Sequence, residues 1–526
     1  MARLDLPPPP ASVLSNNPLS WLALLGPGAI VASLTIGTGE LIFSARAGAL
    51  FGADILWFFV LTLVLKWALV FASARHMCIS GAHPMDRYMG LPGPRGWFPL
   101  VLAIFLLLTN PVWAGFLSHT TGTLLHVVLG EKIGGFLAHA EYGPYIWGGI
   151  VLCVAGSMAF LGGYTALEKA QLVCVGVMMF CALIALVLLS PNYLELLRGL
   201  VIPTSIEYPA WFLDKFAEGT PAYDADFVKD YRSAAPKPIW VETSTYVGVL
   251  GGAGFDYLLY VACLREKAWG FSSREKLTRD ELDSIAPELE KNLRGWLRAP
   301  MLDSLMSFVL VLFFAIVFVA CGILVLAPEG TLPLGNKLLT NQAEFFGKVH
   351  AWFVPVYLVG AVLTLAGSVY GTLEVGPLIF GEIERAFYQE RSTEERRRRM
   401  RRYALIWNAV GGAFVILWSM KFELKPVDVI KPINLFTGVL NCGFIAMLNP
   451  WIDWKFLPRA LRMPKLLMAL NGVAGLAFIG LGIKSYWDYG TVRSAEYGGL
   501  VALGVLAGTL VFGWVAGAVY NAVRKS

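Results

Sequence analysis

Two short stretches of sequence decide the fold. Residues 26–40 read GPGAIVASLTIGTGE, and residues 248–256 read GVLGGAGFD. Each stretch interrupts a long apolar run with clustered glycines and then places a carboxylate, Glu40 or Asp256, at membrane depth. A carboxylate at the bilayer centre costs roughly 2.5–3.5 kcal/mol on insertion scales, so it needs a partner or a function. Close helix packing is the alternative explanation for the glycines, but their recurrence beside an acid favours two interrupted helices.

The composition around these stretches is that of a membrane protein. Of the 526 residues, 56% are hydrophobic and 15% are charged, whereas a soluble chain carries about 25% charged residues. A net charge of +5 is too small to indicate a nucleic-acid partner. The seven cysteines are odd in number and lie mostly inside apolar runs, which argues against a disulfide scaffold, and no Cys-x-x-Cys pair indicates a zinc site.

Apolar runs long enough to cross the bilayer predict twelve transmembrane helices, called spans 1 to 12. Residues 1–20 are polar and proline-rich, so we expect a flexible cytoplasmic tail and no cleaved signal peptide. Pro111 predicts a kink in span 3. The predicted spans are 21–50, 54–79, 97–129, 145–167, 170–190, 241–263, 301–327, 351–380, 404–420, 428–450, 465–486 and 498–521.

Basic residues set the predicted orientation. The run at 396–402 contains six arginines and is the strongest marker of a cytoplasmic loop. We therefore expect a multi-pass protein of the cell (inner) membrane. Both of its termini are expected on the cytoplasmic side. The predicted organisation is a transport core at 21–450, made of two inverted five-helix repeats at about 21–190 and 241–450. An external loop at 191–240 joins the repeats, and 451–526 adds two further spans and a short tail.

Spans 1 and 6 occupy corresponding positions if the chain consists of two five-helix halves. Glycine-interrupted spans at matching places are typical of secondary transporters whose binding site lies near the bilayer midplane. Unwound backbone is tolerated there because it lines a cavity. The prediction is an all-α integral membrane protein of about 12 transmembrane helices, with an inverted-repeat (5+5) symporter fold and broken helices 1 and 6.

At these residues the chain resembles the NRAMP family of divalent-metal transporters. The likeness covers roughly residues 21–480 as an ordered set of motifs, at 26–28, 47–52, 167–169 and 371–373. It departs from the family where the metal binds. The family's Asp-Pro-Gly-Asn motif corresponds to residues 37–40, Gly-Thr-Gly-Glu, and its Met-Pro-His motif to residues 255–257, Phe-Asp-Tyr. A phenyl ring donates no lone pair, so no transition-metal site is expected.

The family's proton route also lacks its residues in this chain. Span 3 contains no acid between Asp86 and Glu131, and Tyr257 and Ala262 stand at the histidine positions of span 6. What remains around the breaks is helix N-termini, small residues and hydroxyls, which favour a small anion. The predicted substrate-binding residues are Thr35, Gly37, Thr38, Gly39, Gly252, Ala253, Gly254 and Phe255. The predicted ligands of a coupling Na⁺ are Glu40, Asp256, Ser368 and Thr372.

A divergent NRAMP-related group is associated with bicarbonate transport, and this sequence looks like that group. The residues predict sodium-coupled uptake of a small anion, and the resemblance implies that this anion is bicarbonate. We expect no cofactor beyond Na⁺ and no obligate protein partner for this protein of the lipid bilayer. A hard divalent cation such as Mg²⁺, bound by Glu40 and Asp256, is the alternative substrate, followed by a small organic molecule. An enzyme is disfavoured because no nucleophile–base pair or His-Glu-x-x-His motif is present. A channel is disfavoured by the paired helix breaks.

The two acids also have purely structural interpretations. Glu40 could pair with Arg46 near the end of its own helix, and Asp256 could pair with Lys66 of span 2. Phe255 could fill the core rather than line a pocket. These alternatives remain open at the level of the sequence.

Overall fold

The computed structural model describes residues 5–130, 133–139, 141–219, 223, 225, 228, 236, 238–328, 330, 353–388, 393–422, 433–493 and 497–525. Within these ranges the side chains of 38, 39, 42, 136, 353, 356, 357, 491–493, 524 and 525 are not described. Eleven described helices are long and apolar enough to cross a membrane, and span 1 makes twelve when the bent pair Pro18–Leu24 and Pro27–Thr35 is included. The number and order of the spans are therefore confirmed.

The spans follow the hydropathy pattern closely. Span 3 continues through Pro111 as one helix. The arginine-rich run lies at the start of span 9. In order, the spans are 27–51, Leu56–Ser80, Trp97–Gly130, Gly143–Leu161, Tyr164–Leu189, Ile239–Lys267, 298–326, Phe353–Tyr388, Glu394–Phe422, Leu435–Phe456, Lys465–Arg493 and Gly498–Lys525.

Span 6 is broken as predicted. Its first half, helix 6a (Ile239–Val249), ends where Leu250 adopts an extended conformation, and its second half, helix 6b (Gly254–Lys267), begins after Ala253. Gly251 and Gly252 in between have φ angles of 72° and 99°. This is the left-handed region that glycine adopts without a steric penalty. The glycines of 251–252 are therefore required by the break itself.

Span 1 is interrupted in a different way. An α-helix, Pro27–Thr35, passes into a π-helical segment, Ile36–Ser44, and then into a second α-helix, Ala45–Phe51. The interruption predicted at 37–39 is thus a widened turn rather than an extended break. Segments of π-helix inside α-helices commonly occur at functional sites.

The N-terminal tail is not detached from the bundle. Val13 is fully buried, and the carbonyls of Leu6 and Pro7 accept hydrogen bonds from Asn292 and Trp296. These partners belong to the helix Pro287–Trp296 in the connection between spans 6 and 7. The expectation of a flexible tail is wrong for residues 5–14, because their apolar side chains pack against this connection.

Two connections contain short helices that pack on the ends of the spans. The loop after span 5 includes Tyr193–Val201 and Ala210–Phe216. The loop after span 2 includes Pro84–Tyr88.

Candidate ion-binding site at the break in span 6

A small cavity lies beside the break in span 6. Its volume is about 60 Å³. Since a water molecule requires about 10–15 Å³ on the same measure, the cavity holds only a few small molecules or one small ion. It is lined by residues of spans 1, 3, 6, 8 and 10: Leu34, Thr35, Thr109, Asn110, Trp113, Leu117, Gly248, Val249, Gly252, Ala253, Phe255, Asp256, Thr372, Val375, Asn434 and Thr437.

The start of helix 6b lies at this cavity, with Ala253, Phe255 and Asp256 among the lining residues. The first N–H groups of a helix have no carbonyl of their own helix to bond, which applies here to Gly254, Phe255 and Asp256. Ala253, at the N-cap, has no side chain that could accept from them. The helix dipole adds a partial positive charge at the same point.

Asp256 both caps helix 6b and lines the cavity. Its Oδ2 accepts a hydrogen bond of 2.7 Å from the backbone N–H of Ala253. The capping bond uses one oxygen of the carboxylate, so the other oxygen can contact a cation in the cavity. Among the described residues that line the cavity, Asp256 is the single carboxylate.

Lys66 of span 2 occupies the break itself. Its Nζ donates to the carbonyl oxygens of Leu250 at 2.8 Å and Gly252 at 2.6 Å, and the residue is fully buried. The Tyr257 hydroxyl also lies within hydrogen-bond distance of two carbonyls in the break, those of Gly251 and Gly252. The hydrogen bonds of Lys66 run to backbone oxygens, which differs from the Asp256–Lys66 pair that the sequence left open.

Glu40 approaches the break from span 1. Its Oε1 accepts from the N–H of Gly251 at 3.2 Å, while Oε2 is buried without a hydrogen-bond partner among the described residues. Arg46, the pair considered for Glu40, instead contacts Glu242 of helix 6a at 2.6 Å. Glu40 therefore joins span 1 to the unwound backbone and is not among the cavity-lining residues.

The other predicted site residues of span 1 divide into three groups. Thr35 lines the cavity. Gly37 faces span 8, because a Cβ built on it would lie 2.0 Å from the Ser368 Oγ. Gly37 thus has the close-packing role that the sequence offered as the alternative. The side chains at Thr38 and Gly39 lie outside the described residues.

Of the predicted site residues in spans 6 and 8, only some lie at the cavity. Gly252, Ala253, Phe255 and Thr372 line the cavity. Gly254 packs against Asn441 of span 10, whose amide lies 2.5 Å from a built Cβ. Ser368 is fully buried and donates from Oγ to the Ser33 carbonyl at 2.9 Å.

Asparagines of spans 3 and 10 were missed by the sequence reasoning. Asn110 donates to the Thr372 carbonyl at 3.1 Å, and Asn434 donates weakly to the Thr245 carbonyl at 3.4 Å. The Oδ1 of Asn434 is buried and has no hydrogen-bond partner among the described residues. Buried polar groups usually have partners, so this orphaned amide oxygen indicates a missing hydrogen-bond donor or cation at the cavity. An asparagine within an apolar run was the signal available in the sequence.

Ion pairs tie the far end of helix 6b to other spans. Arg265 contacts Glu382 of span 8 through two hydrogen bonds, of 2.6 and 2.8 Å. Lys267 pairs with Glu168 of span 5. At the start of span 1, Asp303 of span 7 accepts from the backbone N–H groups of Gly26 and Gly28, both at 2.9 Å. These contacts connect spans 1, 5, 6, 7 and 8 at the end of the bundle where span 1 begins and helix 6b ends.

The fold matches solved transporter structures along almost the whole chain. A crystal structure of a mutant manganese transporter from Eremococcus coleocola has a TM-score of 0.64 at 16% sequence identity, covering 99% of this chain and 97% of that one. A second mutant of the same transporter gives a TM-score of 0.62 at 15% identity, covering 96% and 95%. Its complex with an aromatic bis-isothiourea substituted compound gives 0.59 at 15% identity. No protein-family model and no curated protein matches the sequence.

The structure therefore defines the class as a multi-pass, all-helical membrane protein with the inverted-repeat fold of a secondary transporter. Within that class, the particular fold is the one seen in the manganese transporter, as the resemblance to the NRAMP family implied. At this level of identity the match concerns the fold.

Proposed function

We propose that this protein is a secondary active transporter of a small inorganic ion, and that the ion is an anion taken up with Na⁺. The observation that supports an anion is the start of helix 6b, which lies at the cavity. The unpaired amide oxygen of Asn434 accepts hydrogen bonds, so it would bind the hydroxyl of bicarbonate rather than one of its charged oxygens. Backbone N–H groups at a helix N-terminus bind anions readily. Bicarbonate is the leading candidate on the sequence resemblance.

The size of the cavity limits the substrate. A volume of about 60 Å³ suits a planar anion of four heavy atoms and is too small for most amino acids. This conformation therefore argues against the small organic substrate that was the third alternative.

A cation beside the anion would balance the charge of Asp256. The second oxygen of Asp256 and the hydroxyls of Thr35 and Thr372 line the same cavity. Hard cations prefer such oxygen ligands. Sodium bound there would reduce the repulsion between Asp256 and an anion, which gives a physical reason for coupled uptake. Glu40 and Ser368 would contribute only after a change of conformation, because neither lines the cavity here.

A hard divalent cation is the second candidate, and two observations favour it. The structural neighbours are manganese transporters. The cavity also offers a carboxylate, carboxamides and hydroxyls, which are suitable ligands for Mg²⁺ with its retained waters. Against it, Lys66 already places a positive charge on the carbonyls of Leu250 and Gly252. A divalent ion approaching the break would be repelled by that ammonium group.

Alternating access requires the two ends of the bundle to open in turn. The bonds of Arg265 and Lys267 to spans 8 and 5 would break when helix 6b moves away from them. Asp303 would likewise release the start of span 1. These contacts are the proposed gate at that end.

The test is uptake into proteoliposomes containing the purified protein. Labelled bicarbonate is supplied at alkaline pH with an inward Na⁺ gradient or with choline, and Mg²⁺ and Mn²⁺ entry is followed in parallel with internal dyes. We expect Na⁺-dependent accumulation of bicarbonate and no entry of either metal above that in empty vesicles. Metal entry without bicarbonate uptake would contradict the proposal and select the second candidate.

A matched pair of asparagine variants places the activity at the cavity. Asn434→Leu removes the amide that lines the cavity. Bicarbonate uptake should fall about tenfold or more, because a hydrogen bond to a charged ligand is lost. Asn408→Leu is the control, because Asn408 is equally buried in span 9 and bonds the Leu373 carbonyl, but it is not among the residues that line the cavity. Equal loss of uptake per folded protein in both variants would show that the effect is not specific to the cavity.

A further inference from the structure

Lys66 is an unusual occupant of the membrane interior. Lysine is almost never fully buried unless it is paired, and Lys66 is fully buried in span 2. Its hydrogen bonds go to the carbonyls of Leu250 and Gly252 rather than to a carboxylate. The ammonium group thus contacts two backbone oxygens of the break, of which that of Gly252 also accepts from the Tyr257 hydroxyl.

Those oxygens form the kind of site that otherwise holds a free cation. Leu250 follows the end of helix 6a, where the helix dipole leaves a partial negative charge. The carbonyls of the break lie outside both half-helices, and unsatisfied groups in a membrane interior cost several kcal/mol each. The Tyr257 hydroxyl supplies one donor to the carbonyls of Gly251 and Gly252, and Lys66 supplies the donor to Leu250. Two carbonyls converging on one atom at 2.8 and 2.6 Å could be satisfied equally by a monovalent ion.

We infer that the break in span 6 is a monovalent-cation site that is permanently filled by the ammonium group of Lys66. The tethered cation holds the two half-helices together, as a bound ion would, but it cannot dissociate during transport. The site beside the cavity is therefore closed to an external cation. A coupling ion would have to bind elsewhere, for example at Asp256.

Replacing Lys66 by methionine tests this directly. Methionine keeps the apolar stem but ends one atom short, so the position of Nζ is vacated. Potassium and ammonium ions are close in size to the lost head group. Either ion should therefore bind the carbonyls of Leu250 and Gly252 in Lys66→Met and stabilise the break.

The measurement is the thermal unfolding midpoint of the purified full chain in detergent, compared in choline, potassium and ammonium chloride at equal ionic strength. For Lys66→Met we expect the midpoint in potassium or ammonium chloride to be about 3 °C or more above that in choline chloride. The reason is that an ion that binds only the folded state stabilises it. Wild type should show no such rise, because its site is filled. Leu69→Met, a volume-conserving change at another fully buried position of span 2, should behave as wild type.

Several outcomes would overturn the inference. These are a folded Lys66→Met protein whose midpoint is the same in all three salts, or a wild-type protein that potassium stabilises to the same extent. Aggregation of Lys66→Met in every salt would also count against it, because an added ion should restore the break. Aggregation in choline with a monodisperse protein in ammonium would support it. The readout is stability, so the result is independent of which ion is transported.

Discussion

Replacing Gly37 by alanine tests whether span 1 uses this glycine for packing or for binding. A Cβ at position 37 would lie 2.0 Å from the Oγ and 2.9 Å from the Cβ of Ser368. The Ser368 side chain would have to move and would lose its 2.9 Å bond to the Ser33 carbonyl. Overpacking costs about 1–3 kcal/mol and the lost bond about 1 kcal/mol. We therefore expect Gly37→Ala to lower the free energy of unfolding by about 2–4 kcal/mol.

A double-mutant cycle with Ser368→Ala isolates this contact. The second change removes the oxygen that the new methyl group would meet. Ser368→Ala alone should cost about 1 kcal/mol through its lost hydrogen bond, but in the Gly37→Ala background it should cost nothing or stabilise. The coupling energy, measured by reversible unfolding in mixed micelles, should be about 1 kcal/mol or more. Additive effects, or a Gly37→Ala protein as stable as wild type, would refute the packing role.

Two further predictions concern the end of the bundle where helix 6b terminates. Asp303→Asn should lower the free energy of unfolding by about 1.5–3 kcal/mol, because a charge-assisted bond to the start of span 1 is lost. Asp283→Asn, at an exposed position, is the control. Equal effects of the two changes in denaturant titrations would contradict a stabilising role of Asp303. Arg265→Gln removes both bonds to Glu382 and should open this end of the bundle. The buried Cys263 should then react several times faster with a membrane-permeant thiol reagent, and mass spectrometry measures the rate. The exposed Arg294→Gln provides the comparison, and an unchanged rate in Arg265→Gln would show that this pair is not part of a gate.

The sequence predicted the spans and the break in span 6 because both depend on local signals. Long apolar runs define the spans, and Gly251 and Gly252 carry the positive φ angles of the break. The predicted interruption of span 1 took a different form. The contact between Gly37 and Ser368 depends on how span 8 packs against span 1, which no local pattern shows. A glycine that allows close packing and a glycine that allows unwinding look alike in a sequence.

The partners of the buried charges were harder to predict. The sequence offered Arg46 for Glu40 and Lys66 for Asp256, whereas Arg46 contacts Glu242 and Lys66 contacts backbone carbonyls. A backbone oxygen is present at every residue, so no sequence pattern marks it as a partner. The packing of residues 5–14 was not predicted for a similar reason. Their few apolar side chains contact a surface that is formed by residues much later in the chain.

The transported ion is proposed to bind in the cavity at the break of span 6. The most direct measurement is a high-resolution density map of the purified protein saturated with bicarbonate and Na⁺, compared with maps in chloride and choline and in Mg²⁺. The account predicts density for a small planar anion between the start of helix 6b and Asn434, present only with bicarbonate. Density at Asp256 with Mg²⁺ and none with bicarbonate, or an anion bound outside the cavity, would contradict it.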